Sequence, residues 1–179
     1  MKNKHILLII AGGIAAYKTL ELIRLLHREG VTVTTIMTAA AEKFVTPMSV
    51  AGLAGTKVYT DMFSLTDEVE MGHIKLSRVA DVVLVAPATA DIMAKHTAGL
   101  CTDLATTALL ATDKPVLMAP AMNVRMWEHP ATQANVKTLE ARGVKFIGPC
   151  EGDMACGEWG PGRLSEAQDI FDYLKDYFA

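Results

Sequence analysis

Short apolar runs alternate along this chain with stretches of helical spacing, and this alternation restricts the folds that it can adopt. The apolar runs cover residues 6–11, 31–37, 82–86, 116–119 and 144–147. They are continuous, as is typical of parallel strands that are covered on both faces. The stretches of helical spacing are residues 16–30, 39–44, 47–54, 69–78, 90–111, 131–142 and 166–177. We therefore predict a doubly wound α/β fold, Rossmann-like or flavodoxin-like, with a parallel sheet and helices on both faces.

Length and charge limit the kinds of protein that this chain can be. Its 179 residues suit a single domain over 1–179, at about 150 residues per domain. The net charge of −3, without a run of like charges, argues against a nucleic-acid-binding protein. No apolar stretch approaches the roughly 18 residues of a membrane span. Three cysteines without CxxC spacing suit reduced thiols, so we expect a cytoplasmic protein.

The predicted fold indicates where ligands would bind. In open α/β sheets they bind outside the carboxyl ends of the strands. Those ends correspond to residues 11–13, 37–40, 86–91 and 119–123 and to the segment after residue 147. We therefore expect the functional residues in these segments.

The glycine pair at the end of the first predicted strand does not match the nucleotide-binding motifs. Residues 12–19 fit the P-loop pattern except at Tyr17. The P-loop has a glycine at this position, because only a residue without a side chain lets the backbone wrap around the phosphates. The G-x-G-x-x-G pattern fails because Gly12 is followed directly by Gly13. Two interpretations remain, namely a tight turn and a helix N-terminus that binds an anion.

Several polar side chains in these segments have both a structural and a functional interpretation. Thr38 and Asn123 each stand at a predicted helix start, where they could cap the helix or bind a ligand. His73 carries an imidazole that titrates near neutrality, although a single histidine is more often structural. Residues 148–163 contain five glycines, so we predict a long mobile loop that acts as a lid. Within it Cys156 stands between Ala155 and Gly157, which suits a reactive thiol.

Taken together, these segments resemble the flavin-containing cysteine decarboxylases, and most closely the phosphopantothenoylcysteine decarboxylases of coenzyme A synthesis. The resemblance rests on residues 73–81, 86–90, 120–127 and 155–163. The third segment has the pattern P-A-M-N-x-x-M-W and the fourth begins A-C-G-E. The chain departs from the pattern at Gly13, Asp91 and Thr102, where many relatives have serine, asparagine and asparagine.

The resemblance implies a cofactor, flavin mononucleotide (FMN), and a set of site residues without a metal. By motif match, His73 and Cys156 are the catalytic residues. The residues expected to bind substrate are Asn123, Met126, Ala155 and Gly157. The residues expected to bind FMN are Gly12, Gly13, Ile14, Thr38, Ala40, Thr89, Ala90, Asp91, Ile92 and Ala121.

The resemblance also implies a reaction. FMN oxidises the cysteine thiol of phosphopantothenoylcysteine to a thioaldehyde, CO₂ leaves, and the resulting enethiolate is reduced to 4′-phosphopantetheine. Cys156 gives the last proton of this reduction. The alternative in the same family is a peptidyl-cysteine decarboxylase, which releases the enethiol and does not need the reducing step. A non-enzymatic regulatory subunit of the same fold is a further alternative. The family implies a homotrimer or a dodecamer of trimers.

Overall fold

A parallel sheet forms the centre of the molecule, as predicted. The computed structural model describes residues 1–62, 73–155 and 157–179, and for His73 and Ile74 it describes the backbone alone. Within this part of the chain the sheet has six strands in the order β3-β2-β1-β4-β5-β6. Their bounds are β1 (His5–Ile10), β2 (Thr32–Met37), β3 (Val58–Tyr59), β4 (Val82–Ala88), β5 (Val116–Pro120) and β6 (Lys145–Phe146).

Helices cover both faces of this sheet. The helices are α1 (Lys18–Arg28), α2 (Pro47–Ala54), α3 (His73–Val79), α4 (Ala90–Ala98), α5 (Leu104–Ala111), α6 (Val124–Glu128), α7 (Pro130–Ala141) and α8 (Ala167–Tyr177). Alternate residues of β1 point to opposite faces. Ile6 and Leu8 pack in one core cluster with α1, α2 and α8, whereas Leu7 and Ile9 pack in the other with α3, α4, α5 and α7. The doubly wound α/β prediction is therefore confirmed.

The order of the strands reverses at the middle of the sheet. β1 pairs in parallel with β2 on one side and with β4 on the other, and Ile6 lies opposite both Val33 and Val82. The chain thus builds β1, β2 and β3 outward in one direction and then returns to place β4 beside β1. A crevice forms at such a reversal, because the connections after the two central strands leave on opposite faces.

The single helix predicted over residues 90–111 is wrong, because the chain forms two helices there. α4 ends at Gly99, whose φ of +69° is a left-handed conformation that favours glycine. α5 then begins after Asp103, whose carboxylate accepts a hydrogen bond from the Thr106 backbone N–H at 2.8 Å. A C-terminal glycine followed by a capping aspartate separates the two helices.

The long loop predicted over residues 148–163 is also wrong, because two strands form there. β7 (Cys150–Asp153) and β8 (Trp159–Arg163) pair antiparallel. Gly152, Gly160 and Gly162 have φ values of +153°, +150° and +130°. Only glycine adopts such a backbone readily. The glycines that indicated a loop therefore shape a twisted hairpin.

Smaller elements also differ from the sequence prediction. β3 was not expected, whereas the helix predicted to start at Asn123 is present as the short α6. The helix predicted over residues 39–44 reduces to a 3-10 helix over Ala41–Lys43. Residues 69–72 of another predicted helix lie outside the described residues. No helix in the described ranges combines the length and the apolar content that crossing a bilayer requires.

His5 at the start of β1 leads to a prediction about pH and stability. Burial lowers the pKa of its imidazole below the ordinary value of 6.5, although the Asp81 carboxylate opposes this shift. The unfolded chain therefore binds a proton at a higher pH than the folded chain. The free energy of unfolding should be fully retained above pH 6.5 and should fall as the pH decreases below that value.

Urea denaturation at pH 7.5 and at pH 5.5 measures this effect. His5→Gln should lower stability at both pH values, because its imidazole Nε2 lies 2.8 Å from the Thr34 hydroxyl. The variant should lose less stability than the wild type between the two pH values. An equal loss in both proteins would contradict the assignment to His5.

Candidate functional site

A cavity of about 830 Å³ opens at the carboxyl edge of the parallel sheet. Its walls come from the segments that follow β1, β2, β4 and β5, together with the β7–β8 hairpin. Ligand sites of proteins commonly have this size and stand at this position of a doubly wound fold. The cavity thus lies at four of the strand ends where the fold predicts ligand binding, and the hairpin adds a further wall.

Most of the predicted site residues meet in the wall of this cavity. The predicted residues that line it are Gly12, Gly13, Ile14, Thr38, Ala40, Thr89, Ala90, Asp91, Ile92, Ala121, Asn123, Met126 and Ala155. Gly157 is described but does not line it. Cys156 and the side chain of His73 lie outside the described residues. The structure thus brings thirteen predicted residues together, and their individual roles stay predictions.

The backbone at Gly12 approaches the segment after β2 very closely. A Cβ built on Gly12 would lie 2.4 Å from the Ala40 Cβ and 2.6 Å from the Ala40 carbonyl carbon. By contrast, a Cβ built on Gly13 would meet only the Thr89 Cγ2, at 3.9 Å. Of these two positions, packing therefore requires a glycine only at Gly12. The next residues, Ile14–Tyr17, form a 3-10 helix, so no open phosphate-wrapping loop exists there.

Two threonines cap the backbone turns of the wall. The Thr38 hydroxyl accepts a hydrogen bond from the Ala41 N–H at 3.2 Å. The Thr89 hydroxyl accepts one from the Ile92 N–H at 3.4 Å, at the start of α4. Thr38 thus closes the turn before the 3-10 helix, although the N-cap residue of that helix is Ala40. Each hydroxyl keeps its own proton, which it can still donate to a ligand.

Asn123 both caps α6 and lines the cavity. Its side-chain oxygen accepts a hydrogen bond from the Met126 N–H at 2.8 Å. Its amide NH₂ makes no hydrogen bond within the described part of the chain, which leaves two donors for a ligand. Met126, one turn further on, is 46% exposed at the cavity rim.

The hairpin is fastened to this wall through the backbone. The Met122 N–H donates to the Gly162 carbonyl oxygen at 2.9 Å. A Cβ on Gly162 would lie 2.5 Å from the Met122 carbonyl oxygen. Asp153, Met154 and Ala155 of the hairpin complete this side of the cavity. The hairpin is thus a fixed part of the wall at its base.

Several charged residues of the wall were not identified from the sequence as site residues. They are Lys18, Lys95, Asp103, Asp153 and Arg163. Lys95 Nζ lies 2.8 Å from the Asp91 carboxylate, and this hydrogen bond raises the pKa of the ammonium group. Asp103 is used to cap α5. The position of Asp153 and Arg163 in the segment after residue 147 was a signal for these two, because that segment was expected to carry functional residues.

The described residues contain no cluster of histidine, cysteine, aspartate and glutamate that could hold a metal ion. The cavity wall instead combines many small or apolar side chains with threonine hydroxyls and a few charges. Such a wall suits a ligand with a large apolar part and a polar or charged end.

Comparison with known proteins finds a family pattern that matches the whole of this chain. The pattern of the family described as Flavoprotein matches residues 1–179. The coenzyme A biosynthesis bifunctional protein CoaBC of Haemophilus influenzae is 45% identical over 179 residues, which are 100% of this chain and 45% of that protein. The chain therefore spans about half the length of the curated relatives that it matches.

Two solved structures are similar over nearly their whole length. One is a cysteine-to-serine mutant of PPC decarboxylase complexed with pantothenoylaminoethenethiol, with a TM-score of 0.86 and 29% identity, covering 99% of each chain. The other is the FMN-dependent cysteine decarboxylase SpaF, with a TM-score of 0.81 and 30% identity, covering 99% of this chain and 98% of that one.

The different surroundings of the two glycines give a matched pair of variants. Gly12→Ala should lower the free energy of unfolding by about 1–3 kcal/mol, because the added methyl group overlaps the Ala40 backbone. Gly13→Ala should change it by less than about 0.5 kcal/mol, because its φ of −171° is open to any residue. Urea denaturation of both variants measures the difference. Equal stabilities would contradict the close approach at Gly12.

Proposed function

Because the chain belongs to the Flavoprotein family, we propose that it is an FMN-dependent decarboxylase of phosphopantothenoylcysteine. Its product would be 4′-phosphopantetheine, in coenzyme A biosynthesis. The observation that carries this proposal is that the whole chain matches part of the CoaBC proteins, at 45% identity with the Haemophilus influenzae protein. The match of the family pattern over 1–179 also supports a single flavoprotein domain.

The cavity wall suits FMN. The close backbone approach at Gly12 keeps side chains out of the turn after β1, and the neighbouring Ile14, Ala40 and Ala121 are apolar. Bound FMN would supply an acceptor for two electrons, which it later returns. The residues that would hold FMN are Gly12, Gly13, Ile14, Thr38, Ala40, Thr89, Ala90, Asp91, Ile92 and Ala121.

The substrate would bind on the Asn123 side of the cavity. The two N–H donors of the Asn123 amide suit the carboxylate that is lost as CO₂, and they bind it without a competing proton transfer. Met126 would cover the apolar part of the substrate at the rim. Ala155 and Gly157, on either side of Cys156, would add backbone contacts.

His73 and Cys156 would handle the protons of the reaction. An imidazole accepts or donates a proton near neutrality. A thiol with a pKa of about 8.5 can give its proton to the carbon of an enethiolate. The PPC decarboxylase mutant that has serine in place of a cysteine is complexed with an enethiol, which supports a reducing step that depends on a thiol.

Decarboxylation of a peptide ending in cysteine is the second candidate, because the similar SpaF is an FMN-dependent cysteine decarboxylase. Such an enzyme can release the enethiol without reducing it. The two activities are separated by the substrate that yields CO₂, either phosphopantothenoylcysteine or a peptide with a C-terminal cysteine.

Replacing the proposed proton donor tests the function at its last step. With phosphopantothenoylcysteine, the FMN-loaded wild type should release CO₂ and form the saturated thiol. Cys156→Ser should release CO₂ and stop at the enethiol, which has two hydrogens fewer, because no thiol donates the proton. Mass spectrometry of the products distinguishes them. The exposed Cys101→Ser serves as the control and should behave like the wild type.

Two results would contradict the proposal. A normal yield of saturated thiol from Cys156→Ser would exclude Cys156 as the donor. No CO₂ from the FMN-loaded wild type with this substrate would exclude the activity itself.

A homotrimer, or a dodecamer of trimers, is the assembly that we propose. Ile14, Tyr17 and Met126 line the cavity yet are 63%, 58% and 46% exposed. Large apolar side chains that surround a site opening favour contact with another protein surface. A second copy of this chain would cover them. The cytoplasmic location expected from the cysteine content stays a prediction.

Light scattering after size exclusion tests this assembly. The wild type should elute with the mass of three chains or a multiple of three. Tyr17→Asp should shift the mass toward one chain, because it places a charge in the covered surface. Leu110→Asp, at an exposed apolar position that does not line the cavity, should leave the mass unchanged. A monomeric wild type would contradict the proposal.

A further inference from the structure

Three charged residues that the proposed reaction does not use meet beside the cavity. Lys18 begins α1, Arg163 ends β8, and Glu166 directly precedes α8. Lys18 Nζ donates to Glu166 Oε1 at 2.9 Å and to the Leu164 carbonyl oxygen at 3.3 Å. Arg163 Nη2 donates to the same Glu166 oxygen. One carboxylate oxygen therefore holds two cations that come from different parts of the fold.

The two cations face the cavity, whereas the carboxylate does not. Lys18 and Arg163 line the cavity, and Glu166 is not among its lining residues. The side chain of Lys18 is only 11% exposed, while that of Glu166 is 51% exposed. A lysine this strongly buried is held by its partners, because its long side chain would otherwise reach solvent.

The cluster has a net positive charge and further N–H donors, and both suit the binding of an anion. Two positive charges and one negative charge give the cluster a net charge of +1. The Lys18 ammonium has three N–H donors, of which two are used by Glu166 and Leu164. Arg163 has five donors, and one of them is used by Glu166. By comparison, Lys95 at the same cavity is matched one to one by Asp91.

We propose that Glu166 is a positioning residue, which fixes Lys18 and Arg163 as a pair of cations that binds the phosphate monoester of a ligand in the cavity. This inference rests on the proposed function, since FMN and phosphopantothenoylcysteine each carry such a phosphate. Charge-assisted hydrogen bonds from lysine and arginine are the strongest contacts that a protein offers to phosphate. The hydrogen bond from Lys18 lowers the pKa of Glu166, and the positive charges of Lys18 and Arg163 add to this shift. The carboxylate is therefore ionised at neutral pH.

Glu166→Gln separates positioning from simple electrostatics, because the two effects have opposite signs. The variant keeps the size of the side chain and raises the net charge of the cluster from +1 to +2. If charge alone mattered, phosphate would bind more tightly. If Glu166 positions the two cations, phosphate binds more weakly, because Lys18 and Arg163 lose the ionic partner that orders them.

The experiment compares ligands that differ only in a phosphate. In the first arm, fluorescence titration gives the Kd of the flavin-free protein for FMN and for riboflavin. In the second arm, the FMN-loaded protein is assayed for kcat/KM with phosphopantothenoylcysteine and with pantothenoylcysteine. Each arm yields one preference ratio for the phosphorylated ligand. A purely structural role of Glu166 would change both ligands of a pair equally and leave the ratio unchanged.

Glu166→Gln should lower one of the two ratios about tenfold, as expected for the loss of one charge-assisted contact. The arm that changes identifies the phosphate as that of the cofactor or that of the substrate. Asp172→Asn, which removes a carboxylate from the exposed side of α8, should leave both ratios unchanged.

Ratios within twofold of the wild type, or a ratio that rises, would overturn the inference. If Glu166→Gln does not fold, Lys18→Met takes its place and should lower one of the two preference ratios at least tenfold. Two unchanged ratios in folded Lys18→Met would equally overturn the inference. Absence of CO₂ release by the wild type refutes the proposed function instead. The failure of the inference and the failure of the function are thus distinguishable.

Discussion

The reversal of strand order between β1 and β4 is the constraint on which the rest of this structure depends. Both strands are buried on both faces, so the connections that follow them must leave in opposite directions. The carboxyl ends of these strands therefore remain uncovered by helices. The turn at Gly12 and the start of α4 at Thr89 both line this gap. The segments after β2 and β5 and the β7–β8 hairpin form the other walls of the cavity.

Close backbone contacts then fix the shape of the opening. Gly12 packs against the Ala40 backbone, and Gly162 packs against the Met122 carbonyl group. These two contacts join the turns after β1 and β2 and fasten the hairpin to the end of β5. The proposed reaction would need a flavin and a small thiol in register, and close backbone contacts of this kind limit the displacements that would reduce reactivity.

The sheet and the place of the cavity could be predicted from the sequence, because strands buried on both faces must be apolar at nearly every position. The β7–β8 hairpin could not be predicted, because its strands contain several glycines with a positive φ. A sequence this rich in glycine looks the same as that of a loop. The contact of Lys18 with Glu166 joins residues 148 positions apart, and no local pattern reports such a pair. The roles of His73 and Cys156 came from the resemblance alone, and they stay predictions.

The central claim is that the opening beside β1 and β4 holds one flavin that takes electrons from a bound thiol. The visible absorption spectrum of the flavin-free protein, titrated with FMN, tests this claim most directly. The account predicts a saturable change of the flavin band at one FMN per chain. When substrate is added without oxygen, the band should bleach only transiently in the wild type, because the electrons return to the product, and should stay bleached in Cys156→Ser. A spectrum identical to that of free FMN throughout the titration would contradict it.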